Sequence, residues 1–305
     1  MDNSGLWRGA LYGITAASIW GSMYVVSDLV LLVVPPFCLL TLRIVLGLAV
    51  LLPLSWRQGH SLPSGRSLRR LLGVGIVGLG VSLGSQFLGT DLSTAVNGAL
   101  VTSASPAFVV LFAVLLLRER LTVQRLSAIV LASAGVLVIL DPAAADFASN
   151  TFAGDVFLAV AAVSWGLYSV LVRRVSLHQS TPTLMVTVVA LLGGLLVSIP
   201  VSLLEMAQRP VGAITFEIAL GILYLGIVST AFALLLWNRA FSLAPATVAS
   251  LFFFAQPLAG AILAALFLGQ RMTETLWLGG VLIAFGVLLS LFRTGDDAAK
   301  PPAAT

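Results

Sequence analysis

The chain has 305 residues, of which 59% are hydrophobic and only 9% charged, with a mean hydropathy of +1.08. Soluble domains carry roughly 25% charged residues, so this composition excludes a water-soluble globule and requires lipid as solvent. The net charge of +4 does not mark a nucleic-acid binder, because Lys and Arg sit in short segments between apolar runs and form no basic face.

Ten apolar runs are long enough to cross roughly 30 Å of hydrocarbon as helices. In chain order they fall near 9–31, 36–56, 68–88, 94–117, 123–140, 154–174, 183–204, 214–238, 246–268 and 275–292. The first follows Arg8 without a convincing cleavage site, so it reads as an uncleaved helix. The second contains the single cysteine, Cys38, which can form no intramolecular disulfide. Every connection is short. The longest, DPAAADFASNTFA at 141–153, separates the fifth run from the sixth. The expected organisation is a first unit at 1–140, a periplasmic linker at 141–153, a second unit at 154–292 and a cytoplasmic tail at 293–305. With both termini cytoplasmic, thirteen Lys and Arg fall inside against two outside, Arg209 and Arg271, while Arg43 lies within a span. Cytoplasmic loops retain cations, and this split selects the termini-inside arrangement.

The two units repeat one another. Trp20-Gly21 in the first run matches Trp165-Gly166 in the sixth, and Gly9 and Gly154 precede the tryptophans by the same interval. Pro35 and Pro53 bracket the second run as Pro182 and Pro200 bracket the seventh. SASP at 103–106 corresponds to FAQP at 254–257, and RLT at 120–122 to RMT at 271–273. Five spans are an odd number, so the second unit enters the membrane from the opposite face. The expected fold is therefore an all-α integral membrane protein of ten transmembrane helices, built as two inverted-topology five-helix repeats. In such architectures the substrate site lies near the midplane between the halves.

The Trp-Gly in the first helix of each half, the proline opening the second, the proline in the fourth and the E-R-L-T turn at 119–122 resemble the EamA repeat of the drug/metabolite transporter superfamily. The resemblance covers essentially the whole chain and is most like the YddG-type exporters of aromatic amino acids. It implies a ten-helix fold with a central cavity in a bacterial inner membrane, and a secondary transporter that moves amino acids outward. Two departures stand out: Gln270 replaces the glutamate in the second copy, and Arg43 has no counterpart in the seventh run.

Depth selects the candidate site residues. Trp20 and Trp165 each lie 11 residues into their runs, about 16 Å deep at ~1.5 Å per residue. The other tryptophans, Trp7, Trp56, Trp237 and Trp277, map near helix ends, where indoles occupy the interfacial belt. Tyr24 and Tyr168 follow the central tryptophans by four and three residues and share their faces. Pro106 and Pro257 interrupt matching helices, which frees the carbonyls of Thr102 and Phe253 beside Ser105 and Gln256; both prolines are candidate hinges. Ser82, Ser85, Gln86, Asn97, Tyr224, Ser229 and Thr230 offer further polar groups at depth, although such groups also bind membrane helices together. The glycine run at 73–84 reads as close helix packing. Asp28 and Arg43 are equally distant from the Pro35-Pro36 turn and form either a buried ion pair or a functional couple, with Arg43 on a substrate carboxylate or Asp28 carrying a proton.

No Ser-His dyad, metal-ligand cluster, carboxylate pair or phosphate-cradling loop reaches the midplane, so no enzyme, metal or cofactor is expected. A single interior arginine suits a neutral zwitterionic or aromatic solute better than a phosphate. The expected partners are a small-molecule substrate and membrane lipid, with no nucleic acid and no obligate protein partner. The alternatives are export of another neutral metabolite or drug, and a membrane scaffold that transports nothing.

Overall fold

The computed structural model describes residues 3–93, 95–140, 151–178, 181–268 and 274–291; the side chains of Tyr24, Asp28 and a few other positions within these helices lie outside that description. Among the described residues every regular element is a helix. The first half comprises α1 (Asn3–Leu31), α2 (Pro36–Arg57), α3 (Gly65–Leu92), α4 (Ala95–Thr102), α5 (Ser105–Leu117) and α6 (Val123–Leu140). The second comprises α7 (Phe152–His178), α8 (Thr183–Gln208), α9 (Phe216–Leu243), α10 (Ala255–Leu268) and α11 (Glu274–Leu291). Five of them, α2, α3, α7, α8 and α9, are long and apolar enough to cross a membrane.

Two regular runs in the sequence become irregular helices. The run at 94–117 divides into α4 and α5 at a turn over Ser103 and Ala104, because Pro106 occupies the first turn of α5 and its ring is incompatible with the preceding helical turn. The run at 246–268 begins as one α-turn, Ala246–Ala249, tightens to a 3-10 segment at Ser250–Phe254, and becomes α10 just before Pro257. Two wider turns had no signal in the sequence: π-helical segments interrupt α3 at Ile76–Ser82 and α9 at Tyr224–Phe232.

The halves interlock instead of standing side by side. Helix α1 packs on α9 and α10, α7 on α3 and α5, α2 on α8, and α6 on α11. Lipid supplies no hydrophobic drive between helices, so close approach through small residues has to hold them. A Cβ on Gly21 would meet the Gln256 carbonyl at 2.5 Å, and one on Gly166 would meet Phe108 Cβ at 2.7 Å. The small half of each Trp-Gly pair thus admits the backbone of the opposite half next to its proline. The glycine run of α3 packs likewise: a Cβ on Gly80 would meet Val197 Cγ2 at 2.6 Å, and one on Gly84 would meet Phe37 Cε1 at 2.8 Å.

Two acids close helix N-termini across the structure. Glu205 accepts the N–H groups of Phe37 and Cys38 at 2.8 and 3.1 Å, which satisfies orphan donors in the first turn of α2. Glu119, from the E-R-L-T turn, accepts from the N–H groups of Ala246 and Thr247 at 2.8 and 2.9 Å and from the Thr247 hydroxyl at 2.9 Å.

The packing predicts that Gly166→Leu destabilises the protein by at least about 2 kcal/mol, read as a lowered thermal midpoint in detergent. Gly5→Leu is the control, since a Cβ there meets nothing within 4 Å. Equal midpoints for the two variants would refute the close-approach account.

Candidate functional site

At mid-height the interlocked helices surround a small cavity of about 50 Å³. Helix α1 contributes Trp20 and Met23, α2 contributes Arg43, and α3 contributes Ser82 and Gln86 among apolar neighbours. Thr102 and Ser105 reach it from the two sides of the α4–α5 break. The second half supplies Trp165 from α7, Ser229 and Thr230 from α9, and Phe253 and Gln256 from the 3-10 segment and the start of α10.

The irregular backbone accounts for much of this polar lining. Ser82 ends the π-segment of α3, while Ser229 and Thr230 lie within that of α9. Wide turns leave carbonyls that need new donors, and π-bulges concentrate at functional sites. The Ser229 carbonyl accepts from Trp20 Nε1 at 2.9 Å, and the Leu225 carbonyl accepts from the Thr230 hydroxyl at 2.8 Å. At the proline break, Ser105 Oγ donates to the Thr102 carbonyl at 2.7 Å. Ser82 Oγ donates across the halves to the Ala161 carbonyl at 2.8 Å.

The aromatic side chains form one connected cluster. Trp20 meets Trp165 edge to face with ring centroids 5.3 Å apart, and Trp237 lies 5.3 Å from Trp20 and 5.7 Å from Phe253. The sequence places Trp237 in the interfacial belt, and the structure corrects this: it is 1% exposed, with Nε1 donating to Ser169 Oγ at 3.2 Å. Its helix continues to Leu243, five residues past the end expected from the apolar run, and that extension moves Trp237 inward. Trp7, Trp56 and Trp277 are more than half exposed.

Among the described residues, Arg43 is the charged group of the cavity. It is 2% exposed; Nε donates to Thr230 Oγ1 at 3.1 Å, and Nη2 reaches Met23 Sδ at 3.2 Å and Ser229 Oγ at 3.3 Å. The guanidinium carbon lies 5.3 Å from the Phe87 ring centroid, within cation–π range. Among the described residues Nη1 has no hydrogen-bond partner, and neither do Trp165 Nε1 and Gln256 Oε1. All three atoms belong to residues that line the same cavity.

Of the residues selected from the sequence, Trp20, Ser82, Gln86, Trp165, Ser229, Thr230, Phe253 and Gln256 line the cavity, together with Arg43. Four others do not. Tyr168 is fully buried behind Trp165, where its hydroxyl donates to Asn238 Oδ1 at 2.9 Å. Asn97 Nδ2 donates instead to Asp155 Oδ1 at 2.9 Å, beside Ser93 at 2.6 Å. Tyr224 shares a hydroxyl contact with Ser22 at the α1–α9 seam. Ser85 is half-buried on α3 away from the cavity wall. The side chains of Tyr24 and Asp28, and Gln270 entirely, lie outside the described residues. Thr102 and Ser105 join the lining because the Pro106 break exposes both sides of the turn.

The EamA-like transporter family matches twice, over residues 7–141 and 152–292. An uncharacterized transporter of Archaeoglobus fulgidus is 29% identical over 276 residues, covering 89% of this chain and 93% of that protein. An aromatic amino acid exporter, YddG of Ancylobacter novellus, is 30% identical over 223 residues, covering 71% of this chain and 75% of that protein. A crystal structure 24% identical in sequence superposes with a TM-score of 0.80 over 92% of this chain and 96% of the other, so the fold is shared. With both halves matched and the helices arranged as described, the chain is a multi-pass membrane protein that belongs to the EamA-like transporter family.

Proposed function

We propose that the protein is a ten-span secondary transporter of two inverted repeats, which exports neutral amino acids, aromatic ones among them, or closely related small metabolites across a bacterial inner membrane. The observation that carries this reading is the set of three buried atoms, unpaired among the described residues, on side chains that line one cavity. Arg43 Nη1 and Trp165 Nε1 are donors without acceptors, and Gln256 Oε1 is an acceptor without a donor. Burying a polar group unpaired is costly, so a membrane protein that keeps three in one aromatic-lined space is suited to a ligand that pairs them. A zwitterion does so: its carboxylate accepts from Arg43 and Trp165, its ammonium donates to Gln256, and an apolar side chain lies against the indoles. The aromatic amino acid exporter among the similar proteins supports the same class.

Alternating access is supported by size and by pairing. Pockets that hold a small molecule measure roughly 300–1,000 Å³, against about 50 Å³ here. Substrate therefore enters only when the halves part, with the breaks at Pro106 and Pro257 absorbing the bend. Exchanging corresponding helices carries the principal packed pairs onto one another, α1 with α9 and α10 becoming α7 with α3 and α5, which supports inverted repeats. The charge split of the loops directs both termini to the cytoplasm, with residues 141–153 as the outer link between the repeats and 293–305 as the tail.

Purified protein in liposomes preloaded with unlabelled amino acids should take up labelled neutral amino acids by counterflow, and Trp165→Ala should abolish the uptake. If folded protein moves no amino acid in a panel of aromatic, aliphatic, hydroxyl and charged types, the substrate assignment is wrong.

Arg43→Gln should weaken uptake of labelled tryptophan by about 10–100-fold, the worth of a charge-assisted hydrogen bond, and Arg43→Lys should rescue it poorly, since an ammonium cannot keep the guanidinium's fork. Unlabelled tryptamine, which lacks the carboxylate, should compete poorly in the wild type. Transport restored by the reverse-charge pair Asp28→Arg with Arg43→Asp would assign Arg43 to a structural ion pair instead.

A further inference from the structure

A second open space, which shares no lining residue with the central cavity, lies at the seam between the halves. Helices α3 and α7 run antiparallel and pack tightly along the π-segment and the later turns of α3, but they diverge towards the start of α3. The divergence leaves a groove of about 560 Å³. Its walls follow one pattern on both helices: Arg70, Gly73 and Val77 on α3, and Leu171, Arg174 and His178 on α7, each at intervals of three and four residues. Such spacing places each trio on one face of its helix.

The groove is polarised along its length. Arg70 lies five residues from the start of α3 and Arg174 four from the end of α7, which puts both cations about 6–8 Å inside the helix ends. Val77 and Leu171 line the deeper part. Arg70 and Arg174 are exposed, and their side chains make no hydrogen bond or ion pair among the described residues. No acidic residue occurs within 65–75 or 171–178, whereas Arg66 and Arg69 add charge beside the mouth. The space is also kept open at its floor. A Cβ on Gly73 meets nothing within 4 Å, whereas one on nearby Gly75 would collide with the Ala190 backbone. Close packing accounts for Gly75 and gives no reason for glycine at 73, where alanine would favour the helix.

We infer that this groove binds an anionic phospholipid of the surrounding bilayer, with its phosphate between Arg70 and Arg174 and an acyl chain running past Gly73 to Val77 and Leu171. Basic pockets between membrane helices at the headgroup level suit this chemistry: the cations match a phosphodiester, and the apolar continuation matches a chain that a free anion lacks. The site is independent of what the central cavity carries. Because it spans the seam, the bound lipid joins α3 of one half to α7 of the other.

The test uses the full-length protein in detergent, titrated with dioleoylphosphatidylglycerol, dioleoylphosphatidylcholine or inorganic phosphate, with retained adducts read by native mass spectrometry. Phosphatidylglycerol should be retained on the order of tenfold better than phosphatidylcholine, given the worth of two cations at a lipid headgroup. The double variant Arg70→Ala with Arg174→Ala should lose that preference. Gly73→Leu, which fills the groove and keeps both charges, should lower phosphatidylglycerol retention to the phosphatidylcholine level. Equal retention of the two lipids by the wild type, or a preference that survives both variants, would overturn the assignment. Displacement of phosphatidylglycerol by inorganic phosphate would overturn it as well, by giving the cations to a soluble anion.

Discussion

The structure depends on how closely two backbones approach beside Gly21 and Gly166. In a bilayer the helices gain little from excluding lipid, so the halves can hold together only where side chains are small enough for main chains to touch. Gly21 admits the first turn of α10 and Gly166 the first turn of α5, and each of those turns carries a proline. Immediately before each glycine, a tryptophan fills the space that the approach leaves at the centre. Contact and cavity therefore follow from a single dipeptide, bulky then small, used once in each half. This is why Trp-Gly stands where a lipid-facing helix would carry leucine or valine.

A second constraint follows from the first. Backbone that departs from the α-helix inside a membrane must find its hydrogen bonds within the protein. The π-segments and the proline break do so with side chains near the cavity: Trp20 for the Ser229 carbonyl, Thr230 for Leu225 and Ser105 for Thr102. Thr230 also accepts from Arg43 Nε, so the hydroxyl that repairs the wide turn of α9 positions the guanidinium as well. Irregular backbone and polar cavity wall are here one arrangement, and among the described residues it leaves three buried atoms of the lining side chains unpaired.

Much of this was legible in the sequence because lipid imposes a simple rule on composition: each helix lies in an apolar run, Trp20, Trp165, Ser82 and Gln86 were located by depth, and Gln256 by its place beside Pro257. What depth cannot supply is rotation. Helices that are apolar on nearly every side carry no alternation to show which face turns inward. Tyr224 therefore had the right depth but faces the α1–α9 seam, where it meets Ser22, whereas Asn97 lies in the first turn of α4 beside Asp155 at the start of α7. Trp237 failed for the opposite reason, since an error of five residues at a helix end placed a central indole at the interface. The π-segments had no sequence signature beyond glycine and hydroxyl residues, which the packing of α3 explains equally well.

The distribution of acids explains why Arg43 dominates the cavity. Glu205 is engaged by the first turn of α2, Glu119 by the segment that opens at Ala246, and Asp155 by Ser93 and Asn97. Each of these carboxylates sits at a helix end and meets main-chain or side-chain donors there, and none of them lines the cavity. The equivalent of Arg43 in the second half is Ala190, which is fully buried and carries no charge. The two indoles meet at the centre, one from each half, whereas the arginine comes from the first half alone. A positive group in a low-dielectric space, with its hydrogen bonds half met by neutral hydroxyls, attracts an anion and repels a free cation. The fold thus provides a cavity of either orientation, and one unrepeated arginine gives it a charged end.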